Sequence, residues 1–175
     1  MGQNITKIII LAGAPGTGKT TLSTKLQQHL PDSARVELSW IRGFHLDNTW
    51  SQASDVEEQM SFDNLVYILN NYITHAYPYV IVSDLLDHRV REIPQLFDRT
   101  NFLIFTLVVH DEAELTRRVL DDTRDSGYRN VQAALAWNRQ IMSRNTILNE
   151  YTIDNSHRHP DATCTQIIRQ IHAIP

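Results

Sequence analysis

The sequence predicts an α/β fold of three layers, a parallel five-stranded sheet with helices on both faces, and three observations carry the prediction. Strand-length apolar runs alternate with amphipathic helical stretches. The first run feeds directly into a glycine-rich turn and a helix. None of the runs approaches the roughly 20 apolar residues that would cross a bilayer, so they belong inside a sheet. Taken in order, Lys7-Ile8-Ile9-Ile10-Leu11-Ala12 reads as a buried strand, and Thr21-Leu22-Ser23-Thr24-Lys25-Leu26 as the first turns of the helix after it. A second strand is expected over residues 35–40. Apolar positions in Leu65-Val66-Tyr67-Ile68-Leu69-Asn70-Asn71-Tyr72-Ile73 recur at helical spacing, which predicts an amphipathic helix over residues 61–77 with Tyr67 and Tyr72 packed against the sheet. Pro78 closes it before a third strand at 79–84. Pro94 interrupts the next segment, so a loop and a short helix are expected there. A fourth strand covers 102–109, a helix covers 131–149 with Trp137, Ile141 and Leu148 as packing residues, and Glu150-Tyr151-Thr152-Ile153-Asp154 is the fifth strand.

Composition narrows the class. At 175 residues the chain suits a single domain over 1–175 with a substantial core. The net charge of −4 is spread without a basic run, which argues against a protein whose main task is gripping nucleic acid. Cys164 is the one cysteine, so no disulfide within the chain is possible. With no charged-then-apolar leader in view, a reducing cytoplasmic setting without membrane contact is expected.

The chemistry is concentrated between the first strand and first helix. Gly13-Ala14-Pro15-Gly16-Thr17-Gly18-Lys19-Thr20 fills every position of the phosphate-binding pattern GxxxxGK[ST] (the Walker A motif, or P-loop), in the strand-loop-helix context that the pattern needs. Glycines let backbone N–H groups turn inward around an anion, and the helix N-terminus adds a favourable dipole. Lys19 would then reach the β- and γ-phosphates of a nucleotide, Thr20 would ligate Mg²⁺, and Thr21 would continue the cradle. The GTPase pattern Asn-Lys-x-Asp does not occur, which favours ATP.

Other candidates lie at strand ends and in the two unpatterned regions, 43–55 and 121–130. Val80-Ile81-Val82-Ser83-Asp84 ends in a carboxylate, which makes Asp84 a second catalytic candidate and, with Thr20, a metal ligand. Asp87, Arg89 and Arg91 come next; an arginine here either binds acceptor or is solvated at the surface. Trp40, Phe44 and Trp50 flank Arg42, His45 and Asp47, and residues 40–60 are either an aromatic-walled acceptor region or loop core. Asp84 and Asp47 are both candidates to take a hydroxyl proton. The stretch Glu114 to Arg129 carries four arginines and a turn at Asp125-Ser126-Gly127. It reads as a lid over 121–130 whose arginines arrive when water is excluded, the alternative being a solvated helix whose arginines pair with Asp121, Asp122 and Asp125. His157 and His159 have no second ligand cluster beside them, which disfavours a metal pair there.

With these residues in order, the chain resembles the small P-loop kinases: shikimate kinase, nucleoside-monophosphate kinases and antibiotic phosphotransferases. The resemblance implies the P-loop NTPase sheet order 2-3-1-4-5, ATP with Mg²⁺, a lid, and an acceptor site above the carboxyl ends of the strands. It further implies that Arg118 or Arg117 stacks on adenine, that Asn155-Ser156-His157 lies beside the ring, and that Arg124 and Arg129 are lid arginines. Arg139 or Arg144 would approach the phosphates from the helix after the lid. Departures concern the acceptor. Ser39-Trp40-Ile41-Arg42 stands where nucleoside-monophosphate kinases carry Thr-Gly-Asp, Asp84-Leu85-Leu86-Asp87-His88-Arg89 stands for Asp-Gly-x-Pro-Arg, and shikimate kinase's glycine pair is missing. The expected activity is transfer of the ATP γ-phosphate to a small molecule, hydroxyl or phosphate, with Arg42, Asp47, Arg89 and Arg139 as acceptor-binding candidates. An ATP-binding regulatory module or a small ATPase is the alternative.

Overall fold

The central strand β1 (Lys7–Ala12) is apolar on both sides, and a strand of that kind has to be covered on both. Alternation divides its side chains: Ile8 and Ile10 enter one core layer, Ile9 and Leu11 the other. In the computed structural model, which describes residues 5–44, 54–123 and 126–173, β1 pairs in parallel with β3 (Tyr79–Ser83) and β4 (Phe102–Val108). Outside these lie β2 (Ser33–Glu37) and β5 (Glu150–Asp154), giving the order β2-β3-β1-β4-β5. This is the expected three-layer P-loop architecture.

One face is covered by α1 (Lys19–His29) and α7 (Pro160–Ala173), whose Leu22, Leu26, Ile167 and Ile171 pack on Ile81, Phe105 and Ile153. The other face is covered by α2 (Leu38–Arg42), α3 (Asp55–Thr74) and α4 (Asp87–Leu96), through Leu38, Phe62, Leu65, Val90 and Ile93. Beyond the end of β4, α5 (Glu112–Leu120) and α6 (Val131–Ser143) close a smaller core around Val109, Leu115, Val119 and Leu135. Among the described residues no helix is long and apolar enough to cross a membrane.

Several boundaries differ from expectation. The second strand runs over Ser33–Glu37 rather than 35–40, because the backbone turns helical at Leu38 and Trp40 rides on α2. The helix predicted at 61–77 starts earlier: Ser54 caps it, accepting from the Glu57 N–H while the Glu57 carboxylate accepts from the Ser54 N–H. Pro94 lies inside α4 rather than ending it, near enough to the helix end that its missing N–H forfeits only a bond to the Val90 carbonyl. Three residues predicted to pack are exposed: Tyr67, Leu148 and, in large part, Trp137, which stacks on Tyr128. Tyr72 does pack, against the core and Tyr77.

The helix expected over 131–149 stops at Ser143. Arg144 turns extended and sinks into the protein, donating to Asp87 Oδ1 at 2.9 Å and to both oxygens of Glu150 at 2.8 and 2.5 Å. Burial alone would raise the Glu150 carboxyl, but Arg144, the Thr106 hydroxyl and the Ile147 N–H together hold it below the usual range. This buried pair ties the end of α6 to the start of α4 and to β5.

Candidate phosphate-loop active site

Every strand of the parallel sheet points its carboxyl end the same way, so the loops after β1, β2, β3 and β5 converge on one edge. The loop after β1 is tightly seated. Gly13 sits at φ +134°, and a methyl there would lie 2.4 Å from the Leu107 carbonyl oxygen. Gly16, at φ +88°, would meet Val119 at 2.8 Å. At both positions conformation and space exclude a side chain. Lys19, the first residue of α1, folds its ammonium back onto the loop, donating to the carbonyls of Gly13 at 2.8 Å and Ala14 at 3.0 Å. The Thr17 hydroxyl donates to the same Ala14 carbonyl at 2.9 Å, across the turn that contains Pro15. Thr20 and Thr21 are exposed in the first turn of α1.

Asn155 braces this loop from behind. It is buried, donates through Nδ2 to the Thr17 carbonyl at 2.8 Å, and accepts the Thr163 hydroxyl at 2.7 Å. Its amide is thus committed on both sides. Arg118 does lie against that loop, donating to the Ser156 carbonyl and, at 2.7 Å, to Glu114. Arg117 forks onto the same Glu114 carboxylate. Hydrogen bonding from Arg117, opposed by partial burial and aided by Arg118, brings the Glu114 carboxyl down to about 2.

Asp84 directly follows β3 in a left-handed backbone, φ +67°. A non-glycine residue held there is strained, and such strain concentrates at functional sites. Its neighbour across the sheet edge is Glu37, an acid that the apolar pattern of the sequence conceals. Glu37 ends β2 in register with Ser83 and is nearly buried. Burial raises its carboxyl; Arg35 pulls it down, Asp84 pushes it up, and the Ser39 hydroxyl and Lys19 pull it down, with a net rise. Glu37 therefore feels both the strand-end acid and the phosphate-loop lysine.

The remaining candidates are distributed around this edge. Arg42 donates to Glu58 at 2.7 Å. Arg89 is 7% exposed, with its guanidinium 4.6 Å above the Phe62 ring and 3.2 Å from Glu92. Arg139, expected near the phosphates, is exposed and forks onto Glu112. Arg144, its alternative, is held in the buried network with Asp87 and Glu150. Arg129 donates to the carbonyls of Ser126 and Tyr128. Trp40 and Phe44 expose their rings, Trp40 under the Arg35 guanidinium at 5.1 Å. His45, Asp47, Trp50 and the lid arginine Arg124 lie outside the described residues. His157 and His159 face different carboxylates, Asp111 and Asp161.

Among the described residues no group of three or more His, Cys, Asp or Glu could hold a metal ion. A Mg²⁺ brought by a nucleotide needs no such cage, because it keeps several waters and takes one or two protein oxygens beside the phosphates. The exposed Thr20 and the carboxylate of Asp84 are hard oxygen donors of the required kind, so the residues present fit the ion.

A family model described as AAA domain matches residues 9–136. Among curated proteins none matches the chain in sequence. Solved structures of similar shape include the Deinococcus radiodurans tunicamycin resistance protein, 21% identical with a TM-score of 0.72 over 95% of each chain. A sugar kinase from Janibacter sp. HTCC2649 is 15% identical, TM-score 0.68, over 95% of each chain. Thymidylate kinase from Candida albicans is 15% identical, TM-score 0.64, over 97% of this chain and 92% of that one. At such identities the likeness is one of fold.

Proposed function

This chain belongs to the AAA domain family, and on that premise we propose that it is an ATP-dependent phosphotransferase that moves the γ-phosphate of ATP to a small-molecule acceptor. One observation carries the reading: the phosphate loop with Lys19 follows β1 at the same sheet edge where Glu37 ends β2, in register with Ser83, and Asp84 follows β3. A nucleotide-binding loop alone would serve binding; a strained acid and a buried acid beside it serve transfer. The sugar kinase and thymidylate kinase of similar shape support phosphotransfer as the class.

In this reading backbone N–H groups of the glycine-rich loop after β1 and the dipole of α1 hold the phosphates, while Lys19 leaves the Gly13 and Ala14 carbonyls for the terminal phosphate. Thr20 and Asp84 would hold Mg²⁺, which would supply neutralising charge to the phosphates. Glu37 accepts the proton of an acceptor hydroxyl as that oxygen attacks in line; its raised pKa brings it closer to the pH at which a general base is most effective. Arg118, beside the loop 155–157, flanks the adenine. Arg124 and Arg129 belong to a lid between α5 and α6 that completes the charge stabilisation on closing.

The test is acceptor-stimulated ADP release from ATP·Mg²⁺ over a panel of alcohols, nucleotides and aminoglycoside-like compounds, with Glu37→Gln and Lys19→Ala alongside. Turnover lost in Glu37→Gln with ATP binding kept supports the mechanism. Tight ATP binding by the wild type without turnover on any acceptor would replace it with a nucleotide-binding module.

A further inference from the structure

We propose that Arg35 is a positioning residue for Glu37: anchored by its neighbours one step short of the carboxylate, it keeps Glu37 charged while leaving the carboxylate oxygens open to a proton. The inference rests on the phosphotransfer reading above. Arg35 and Glu37 stand two residues apart on β2 and share a face of the sheet. From α1 the Thr24 hydroxyl accepts a hydrogen bond from Arg35 Nη1 at 2.5 Å and donates its own proton to the Thr20 carbonyl at 3.1 Å. From α2 the Trp40 ring lies under the guanidinium, 5.1 Å from its carbon to the ring centre. So fastened, Arg35 stops with Nε 3.8 Å from Glu37 Oε1, beyond hydrogen-bonding reach. That Nε is buried and has no hydrogen-bond partner. A buried donor left unmet beside a carboxylate needs a cause, and the two anchors supply one.

The gap matters because direct contact would spoil a base. Two other carboxylates of this protein are gripped by arginine. Glu150 meets Arg144 at 2.8 and 2.5 Å, Glu114 meets Arg118 at 2.7 Å and Arg117 at 2.8 Å, and both carboxyls lie below the usual range. Carboxylates bound in this way have lone pairs already filled and take a proton poorly. Glu37 has an arginine too, yet its carboxyl is raised, because burial outweighs the more distant guanidinium. With no cation at all, burial would push it further toward the neutral acid, which cannot accept a proton. An intermediate distance serves both needs. The charged groups that act on Glu37 are Arg35 from its own strand, Asp84 from the loop after β3 and Lys19 from α1; Ser39 on α2 adds a hydroxyl, and Ser83 across the sheet is uncharged.

The experiment follows the Glu37 carboxyl carbon by NMR titration of the full chain, its signal assigned by its loss in Glu37→Gln. Removing the cation and releasing its anchor should act in opposite directions. Arg35→Gln is expected to raise the midpoint by about one pH unit, and Arg35→Lys to return it part of the way. Thr24→Val frees Nη1 to close on Glu37, and the midpoint should fall. No rise in folded Arg35→Gln overturns the proposal, and so does a midpoint that fails to fall in Thr24→Val, which decides alone if Arg35→Gln does not fold. In turnover on an acceptor, the acid limb of kcat/KM should move with the NMR midpoint in each variant, a response that a purely structural cluster would not give. An unmoved limb overturns the positioning role. Failure of the phosphotransfer reading is seen separately: a wild type that binds ATP·Mg²⁺ without turnover on any acceptor counts against that reading, while the titration still decides whether Arg35 governs Glu37.

Discussion

Asn155→Ala is the most direct measure of how much of the phosphate loop is held from outside. The side chain is 5% exposed and makes two hydrogen bonds, to the Thr17 carbonyl at 2.8 Å and from the Thr163 hydroxyl at 2.7 Å. Truncation leaves two buried polar groups unmet, each worth about 1–3 kcal/mol. The Thr163 hydroxyl can turn to another acceptor and recover part of its share, so the expected loss is about 2–4 kcal/mol, or a melting temperature lower by about 5–15 °C in a chain of this size. Asn155→Asp keeps the shape but puts a carboxylate oxygen against the Thr17 carbonyl, and should cost at least as much. Urea unfolding at unchanged slope gives the stability loss, and titration with a non-hydrolysable ATP analogue on the same preparations gives the effect on the loop. Nucleotide affinity should fall along with stability, because the braced residue lies inside the phosphate cradle. Both variants unfolding within about 0.5 kcal/mol of wild type would refute the brace; lost stability with unchanged affinity would confine it to holding α7.

Lys19→Ala should abolish the response to ATP·Mg²⁺, which in the wild type at about 100 times Kd amounts to roughly 2.7 kcal/mol, or about 5–10 °C by differential scanning; a variant that keeps the shift removes Lys19 from the site. Asp84→Asn should lower kcat by on the order of 10²-fold while changing nucleotide affinity much less, and equal losses in both would leave Asp84 a binding residue only. Glu37 must be ionised to act as base and its pKa is raised, so kcat/KM should fall as pH drops through a value above the ordinary glutamate range, and a limb that persists in Glu37→Gln belongs to another group. Glu114 is depressed to about 2 in the fold, so its contribution to stability is present above the unfolded glutamate pKa and disappears as pH falls towards about 2; acid unfolding of Glu114→Gln should lack that increment, and identical acid profiles would count against the Arg117 and Arg118 pairing.

Much of the framework is legible because it is local. Runs such as Lys7–Ala12 and Phe102–Val108 are apolar and short, and the phosphate loop names its own glycines. The strand order comes through resemblance, since periodicity says which segments are strands and not which are neighbours. Glu37 escapes notice for a specific reason: Leu38, Trp40 and Ile41 prolong the apolar run, so a strand drawn to residue 40 hides the acid that ends it. The rule that picks out Asp84 finds Glu37 too once the boundary moves three residues earlier. Asn155 and Arg144 invite ligand roles in the sequence because their partners, Thr17 and Asp87, are distant along the chain. Nothing local marks a residue as already committed. Ser54 and Glu57, by contrast, carry a readable helix-start signal.

The fastening of α6 makes part of this protein a natural optical gauge. Asn138 binds both polar groups of Val109, accepting from its N–H at 3.1 Å and donating to its carbonyl at 2.7 Å, and Arg144 anchors the end of the same helix. Trp137 is thus carried on a fixed post, while the ring stacked on it, Tyr128, belongs to the connection that precedes the helix, with centroids 6.3 Å apart. Any rearrangement of that connection has to slide tyrosine past a stationary indole. With Trp40 and Trp50 replaced by phenylalanine, the emission of Trp137 would report whether residues 126–130 move when nucleotide is added, without an attached dye.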